Sequence, residues 1–107
     1  MKHRTRVKIC GITRIEDAHH AADRGADSIG LVFHKPSPRL IEIEQALEIR
    51  RALPPFVTVT ALFLDDTEDW IAQVVQSLRP DCLQFHGNES RDFCEACLLY
   101  TSDAADE

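Results

Sequence analysis

Val7-Lys8-Ile9-Cys10-Gly11-Ile12-Thr13-Arg14 is the stretch on which the fold turns. Val7 to Cys10 reads as a short, mostly apolar strand, and Gly11 frees the backbone. Thr13 with Glu16 three residues on has the spacing of a capping box that opens a helix. Cys10 then stands at the carboxyl end of a first strand. Ligands of α/β folds bind at that edge of the sheet, so a thiol there faces a substrate site. The competing reading is a small core hydrophobe, since free cysteine is among the most buried residue types.

Outward from this stretch the chain alternates. Ile15 to Arg24 places Ile15, Ala18, Ala21 and Ala22 on one helical face, and Gly25 suits a left-handed C-cap. Asp27 to Phe33 is a mostly apolar run bounded by turn formers, as expected of a strand covered on both faces. His34 to Arg39 is a loop whose two prolines oppose helix. Glu44 to Leu53 predicts a second helix with Ala46, Leu47 and Leu53 along its stripe, Ile49 at the flank and Pro54-Pro55 as its stop. Its start, Glu42-Ile43, lacks a good capping residue. Phe56 to Leu64 is a third strand rich in β-branched residues. Acidic residues 65–69 with Thr67 as cap open a third helix, whose inward stripe is Trp70, Ile71, Val74, Val75 and Leu78. Cys82 to His86 is a fourth strand, and Gly87 follows it.

Four strands separated by three helices at short spacing imply a parallel sheet with right-handed crossovers. An open doubly wound sheet fits the length, but no G-x-G-x-x-G or P-loop follows the first strand. The first half of a (β/α)₈ TIM barrel fits as well, the whole of which takes about 200 residues or more.

Composition narrows the function classes. The 107 residues are 44% hydrophobic and 28% charged, with a net charge of −6 and no basic cluster, which opposes nucleic acid as a partner. The apolar runs are too short to cross a membrane, and the basic start leads into a strand rather than a signal core. The expected location is cytoplasmic, with Cys10, Cys82, Cys94 and Cys97 as reduced thiols. His19-His20 is adjacent on a helix and cannot readily chelate one ion. No metal and no cofactor are expected.

The ordered set Lys8-Ile9-Cys10-Gly11-Ile12-Thr13, Gly30-Leu31-Val32-Phe33, Ser37-Pro38-Arg39, Leu62-Phe63 and Leu83-Gln84-Phe85-His86-Gly87 resembles the amino-terminal half of phosphoribosylanthranilate isomerase. That resemblance selects the half-barrel and implies an Amadori rearrangement of N-(5-phosphoribosyl)anthranilate in tryptophan biosynthesis. It implies Cys10 as the general base and Arg39 as the contact to the anthranilate carboxylate, which a guanidinium fork fits. Lys8 lies two residues before Cys10 and shares its side of the strand. A buried lysine there needs a partner, and none stands out in this half. Gln84 and His86 share a face of strand four and are expected to line the pocket, unless His86 is a hydrogen-bonded core histidine. Gly11 and Gly87 are backbone permissions beside the site. The expected partner is a small phosphorylated substrate.

The resemblance runs to about Ala96, which bounds an amino-terminal half-barrel unit at 1–96. Residues 97–107 read as a non-native tail, similar to a translated sequencing adapter, and Cys94-x-x-Cys97 would be an accident of that junction. The family's aspartate acid and its phosphate-binding loops belong to strands beyond this sequence, so the polypeptide as given is expected to be inactive. The alternative is a non-catalytic half-barrel that binds a small phosphorylated ligand or self-associates through open sheet edges.

Overall fold

Residues 5–97 are described by a computed structural model, in which seven elements alternate: β1 (Lys8–Cys10), α1 (Ile15–Asp23), β2 (Ser28–Val32), α2 (Ile43–Ala52), β3 (Thr58–Phe63), α3 (Glu68–Leu78) and β4 (Cys82–Phe85). Residues 91–97 are again helical. All pairings are parallel and follow chain order, β1-β2-β3-β4. Sequential parallel neighbours with a helix in each crossover form half a (β/α)₈ barrel, as expected.

Register sorts the side chains. Cys10 pairs with Gly30, Gly30 with Thr60, and Thr60 with Cys82. Because strand side chains alternate, Lys8, Cys10, Ser28, Gly30, Thr60, Leu62, Cys82 and Gln84 share one face. The opposite face carries Ile29, Leu31, Val59, Ala61 and Phe63, each at most 1% exposed. Against it pack Ala18 from α1, Ala46 and Ile49 from α2, and Ile71, Val74, Val75 and Leu78 from α3. Phe33 stacks on Phe63 and Phe63 on Phe85, with centroids 6.1 and 6.0 Å apart.

Helix ends show where local signals succeeded. Thr67 caps α3, its Oγ1 accepting from Trp70 N at 3.2 Å, and Gly25 takes the left-handed conformation (φ 92°) after α1. The capping box at Thr13 does not form. Arg14 occupies the N-cap of α1 without a side-chain cap, while Thr13 offers its carbonyl to Gln45 Nε2 of α2. Glu16 instead receives Arg14 Nε at 3.2 Å. Its carboxyl is held below the usual range by its own backbone amide first and by Arg14 second. The α2 start at Glu42 has no side-chain cap, as its sequence implied.

Two packing expectations change. Ile49 is fully buried, whereas Leu47 and Leu53 are half-buried, so Ile49 belongs to the α2 stripe rather than its flank. Phe56 is 78% exposed and precedes β3, because Pro54 and Pro55 hold the chain in a turn there. Cys97, the first residue of the segment read as a tail, is completely buried in the core. Burial pushes its thiol up to about 11, with Glu68, Cys94 and Glu89 adding to the shift. The rest of that segment, 98–107, lies outside the described residues.

Candidate active site at the carboxyl ends of the strands

Cys10 ends β1 on the open face of the sheet and is an exposed, free thiol. Its neighbour across the ladder is Gly30, where an added Cβ would lie 3.0 Å from Cys10 Sγ and 3.1 Å from Cys10 Cα. The missing side chain at Gly30 is therefore what gives the thiol its room. Gly30 appeared in the sequence only within a motif, and this spatial role had no local signal.

Gly11 follows at φ 80°, a left-handed conformation in which an L side chain is strained. A Cβ at Gly11 would also meet Arg39 Cδ at 2.7 Å and Nη1 at 3.0 Å. Gly11 thus serves twice, turning the chain out of β1 and letting the Arg39 stem lie across it. The Arg39 loop returns to the sheet through a Val32–Leu40 bridge, and Ile41 N donates to Val32 O at 3.1 Å. Arg39 N donates to Ser37 Oγ at 3.1 Å, and its guanidinium has no ion pair among the described residues. An exposed fork without an ion pair among the described residues is free to receive a carboxylate.

Lys8 is exposed rather than buried, and it does find a partner in this half: Nζ donates to Gln84 Oε1 across the open face. Gln84 Nε2 lies 2.8 Å from His86 Nε2. His86 is exposed, just past the end of β4, so it is not a core histidine. Lys8, Cys10, Gln84 and His86 therefore share one face, and the Arg39 stem reaches Gly11 beside it.

Two further clamps shape the rim. Asp65, left-handed at φ 52°, accepts from Asn88 N at 2.7 Å and donates its own amide to Glu89 Oε2 at 2.7 Å. Gly87 makes this possible by space rather than dihedral angle: a Cβ there would fall 2.4 Å from Asp65 Cγ. Nearby, Asp66 Oδ1 meets His34 Nδ1 at 3.3 Å, Trp70 Nε1 donates to Phe33 O at 2.7 Å, and Lys35 Nζ sits 4.5 Å above the Trp70 ring. These contacts fix the loop after β2 to the start of α3. Among the described residues no cluster could hold a metal ion, and no helix is long and apolar enough to cross a membrane.

Residues 7–101 match the family model described as N-(5'phosphoribosyl)anthranilate (PRA) isomerase. The isomerase of that name from Alcanivorax borkumensis is 57% identical over 91 residues, which are 85% of this chain and 42% of that protein. The Pseudomonas aeruginosa relative is 52% identical over 90 residues, 84% of this chain and 43% of that protein. The crystal structure of phosphoribosyl anthranilate isomerase from Thermotoga maritima superimposes with a TM-score of 0.85 at 38% identity, covering 90% of this chain and 47% of that one. A phosphoribosyl anthranilate isomerase in complex with reduced 1-(o-carboxyphenylamino)-1-deoxyribulose 5-phosphate matches equally well, with TM-score 0.85, 38% identity and 90% and 50% coverage. The chain spans less than half the length of these curated relatives.

Proposed function

From the premise that the chain belongs to the N-(5'-phosphoribosyl)anthranilate isomerase family, we propose that it carries the base half of that active site. The substrate would be N-(5-phosphoribosyl)anthranilate, and the reaction its internal redox isomerisation in tryptophan biosynthesis. The observation that supports this reading is that Cys10 ends β1, His86 follows the end of β4, and the Arg39 stem lies over Gly11, the residue after Cys10.

In the proposed reaction an acid protonates the furanose ring oxygen and the ring opens to a Schiff base. The Cys10 thiolate then takes the proton from C2, and the electron pair of that bond forms the enolamine, which tautomerises to the ketone. Arg39 holds the anthranilate carboxylate, while Lys8, Gln84 and His86 line the wall toward the sugar. The thiolate is the form that acts as base, so its close positioning against C2 carries much of its efficiency. No aspartate of this chain is assigned as the acid. Without an acid and a phosphate anchor, the base has no positioned Schiff base to act on, so the 107-residue polypeptide by itself is silent.

The test is turnover of the fluorescent substrate by three proteins: the chain alone, residues 1–96 joined to a family carboxyl-terminal half, and that joined barrel with Cys10→Ala. The expected results are no turnover, restored turnover, and a loss in kcat of about 10²–10⁴-fold. Activity in the chain alone would refute its silence, and an undiminished Cys10→Ala barrel would remove Cys10 from the chemistry. A second reading is favoured by the sheet itself: β1 and β4 are edge strands among the described residues. Copies of the polypeptide would then associate edge to edge, and the monomer mass at every concentration in sedimentation equilibrium would exclude it.

A further inference from the structure

We propose that Gln84, oriented by Lys8, fixes His86 with its proton on Nδ1, which makes that nitrogen a neutral hydrogen-bond donor to an oxygen of the bound substrate. The inference rests on the functional reading above for the substrate and on two contacts for the proton. The Lys8 ammonium has donors and no acceptor, so the Gln84 atom facing it must be the amide oxygen. The other end of the amide is then its NH₂ group, which can only donate. Since that group lies 2.8 Å from His86 Nε2, Nε2 must be the acceptor and must carry no proton. A neutral ring with an unprotonated Nε2 holds its proton on Nδ1. The Lys8 ammonium, which can only donate, thus decides which end of the Gln84 amide is oxygen.

Among the described residues Nδ1 of His86 has no hydrogen-bond partner, and the residue is exposed just past the carboxyl end of β4. A histidine free in water prefers the opposite form, with the proton on Nε2. The Lys8–Gln84 pair thus reverses an intrinsic preference, and Gln84 acts as a positioning residue whose effect passes through His86.

The experiment is the ring ¹⁵N spectrum of His86 in the histidine-labelled 107-residue chain at about pH 8, where an ordinary imidazole is neutral. His86→Gln identifies its signals. The expected wild-type spectrum shows Nδ1 protonated and Nε2 unprotonated, the Nδ1–H form in about tenfold excess. Gln84→Glu presents a carboxylate, which only accepts, and should reverse the ratio. Lys8→Met frees the amide to rotate and should bring the two forms toward parity. A wild-type ring with the proton on Nε2, as an unfolded chain would also give, overturns the inference, and so does a Gln84→Glu spectrum identical to wild type. An unchanged ratio in Lys8→Met removes Lys8 from the chain of cause. Failure of the isomerase reading would appear in turnover by the joined barrel and would leave these spectra as expected.

Discussion

The two faces of the four-stranded sheet are built on opposite plans. On the helix-covered face Ile29, Leu31, Val59, Ala61 and Phe63 are sealed, and a row of aromatic rings runs from Phe33 through Phe63 to Phe85. On the other face Lys8, Cys10 and Cys82 are exposed, Ser28 and Gln84 are half-buried, and only Gly30, Thr60 and Leu62 are closed to solvent. The first face is apolar, large and interlocked. The second is small and polar, and its groups bond to one another across strands, as Ser28 Oγ does with Thr60 Oγ1 at 3.0 Å. The contrast teaches that cohesion and chemistry have been given different sides of the same backbone, so that one can vary without the other.

The sharpest way to break this division is to attack the sealed face. Phe63→Ala removes a ring stacked on both sides and should cost about 3–5 kcal/mol in urea unfolding. A loss near that of an exposed residue would mean that the helix side is not where stability resides. Next in size is Gly30→Ala, which should cost about 1–3 kcal/mol by crowding Leu62 and Cys10, and should slow alkylation of the Cys10 thiol. If Cys10 reacts at an unchanged rate, the glycine is not what makes room for the thiol. Gly11→Ala should cost about 1–2 kcal/mol for its left-handed backbone. In the joined barrel it should also raise KM through displacement of Arg39, and an unaltered KM would separate Gly11 from the arginine.

The smallest effect concerns the buried thiol. Cys97 keeps its proton to about 11, against an ordinary value of 9.0, so between these two limits the native state holds a proton that the unfolded state has lost. Stability from this group is complete below the lower limit and falls as pH rises through the window. Cys97→Ala should flatten the decline in urea midpoint over that range relative to wild type. Equal slopes would show that the thiol contributes nothing to the alkaline loss. At mild pH the exposed Cys10 and Cys82 should be alkylated while Cys97 is spared.

Much of the fold was legible because its signals are local. The alternation of strand and helix, the Thr67 cap, the Gly25 turn and the shared side of Lys8 with Cys10 each follow from residues a few positions apart. The failures share the opposite cause. Thr13 looked like a cap, but its carbonyl is engaged by Gln45, 32 positions away. Lys8 looked unpartnered because Gln84 is 76 positions away. The roles of Gly30 and Gly87 depend on which atoms stand opposite them in other strands and loops, and no spacing within a motif encodes that. Phe56 read as strand from its own character, yet the two prolines before it decide its course.

The strictly sequential order of the strands has a consequence for how the sheet holds together through time. Each β-α unit rests on the one before and the one after, with α1 against α2 and α2 against α3. Such an arrangement behaves as a nearly one-dimensional stack, in which neighbours stabilise neighbours and openings spread inward from the margins. Amide protons in β2 and β3 should therefore be the slowest to exchange and those of β1 and β4 the fastest. In the 107-residue chain Cys10 and His86 stand at those two margins, so the amides beside them should exchange before those of Gly30 and Thr60.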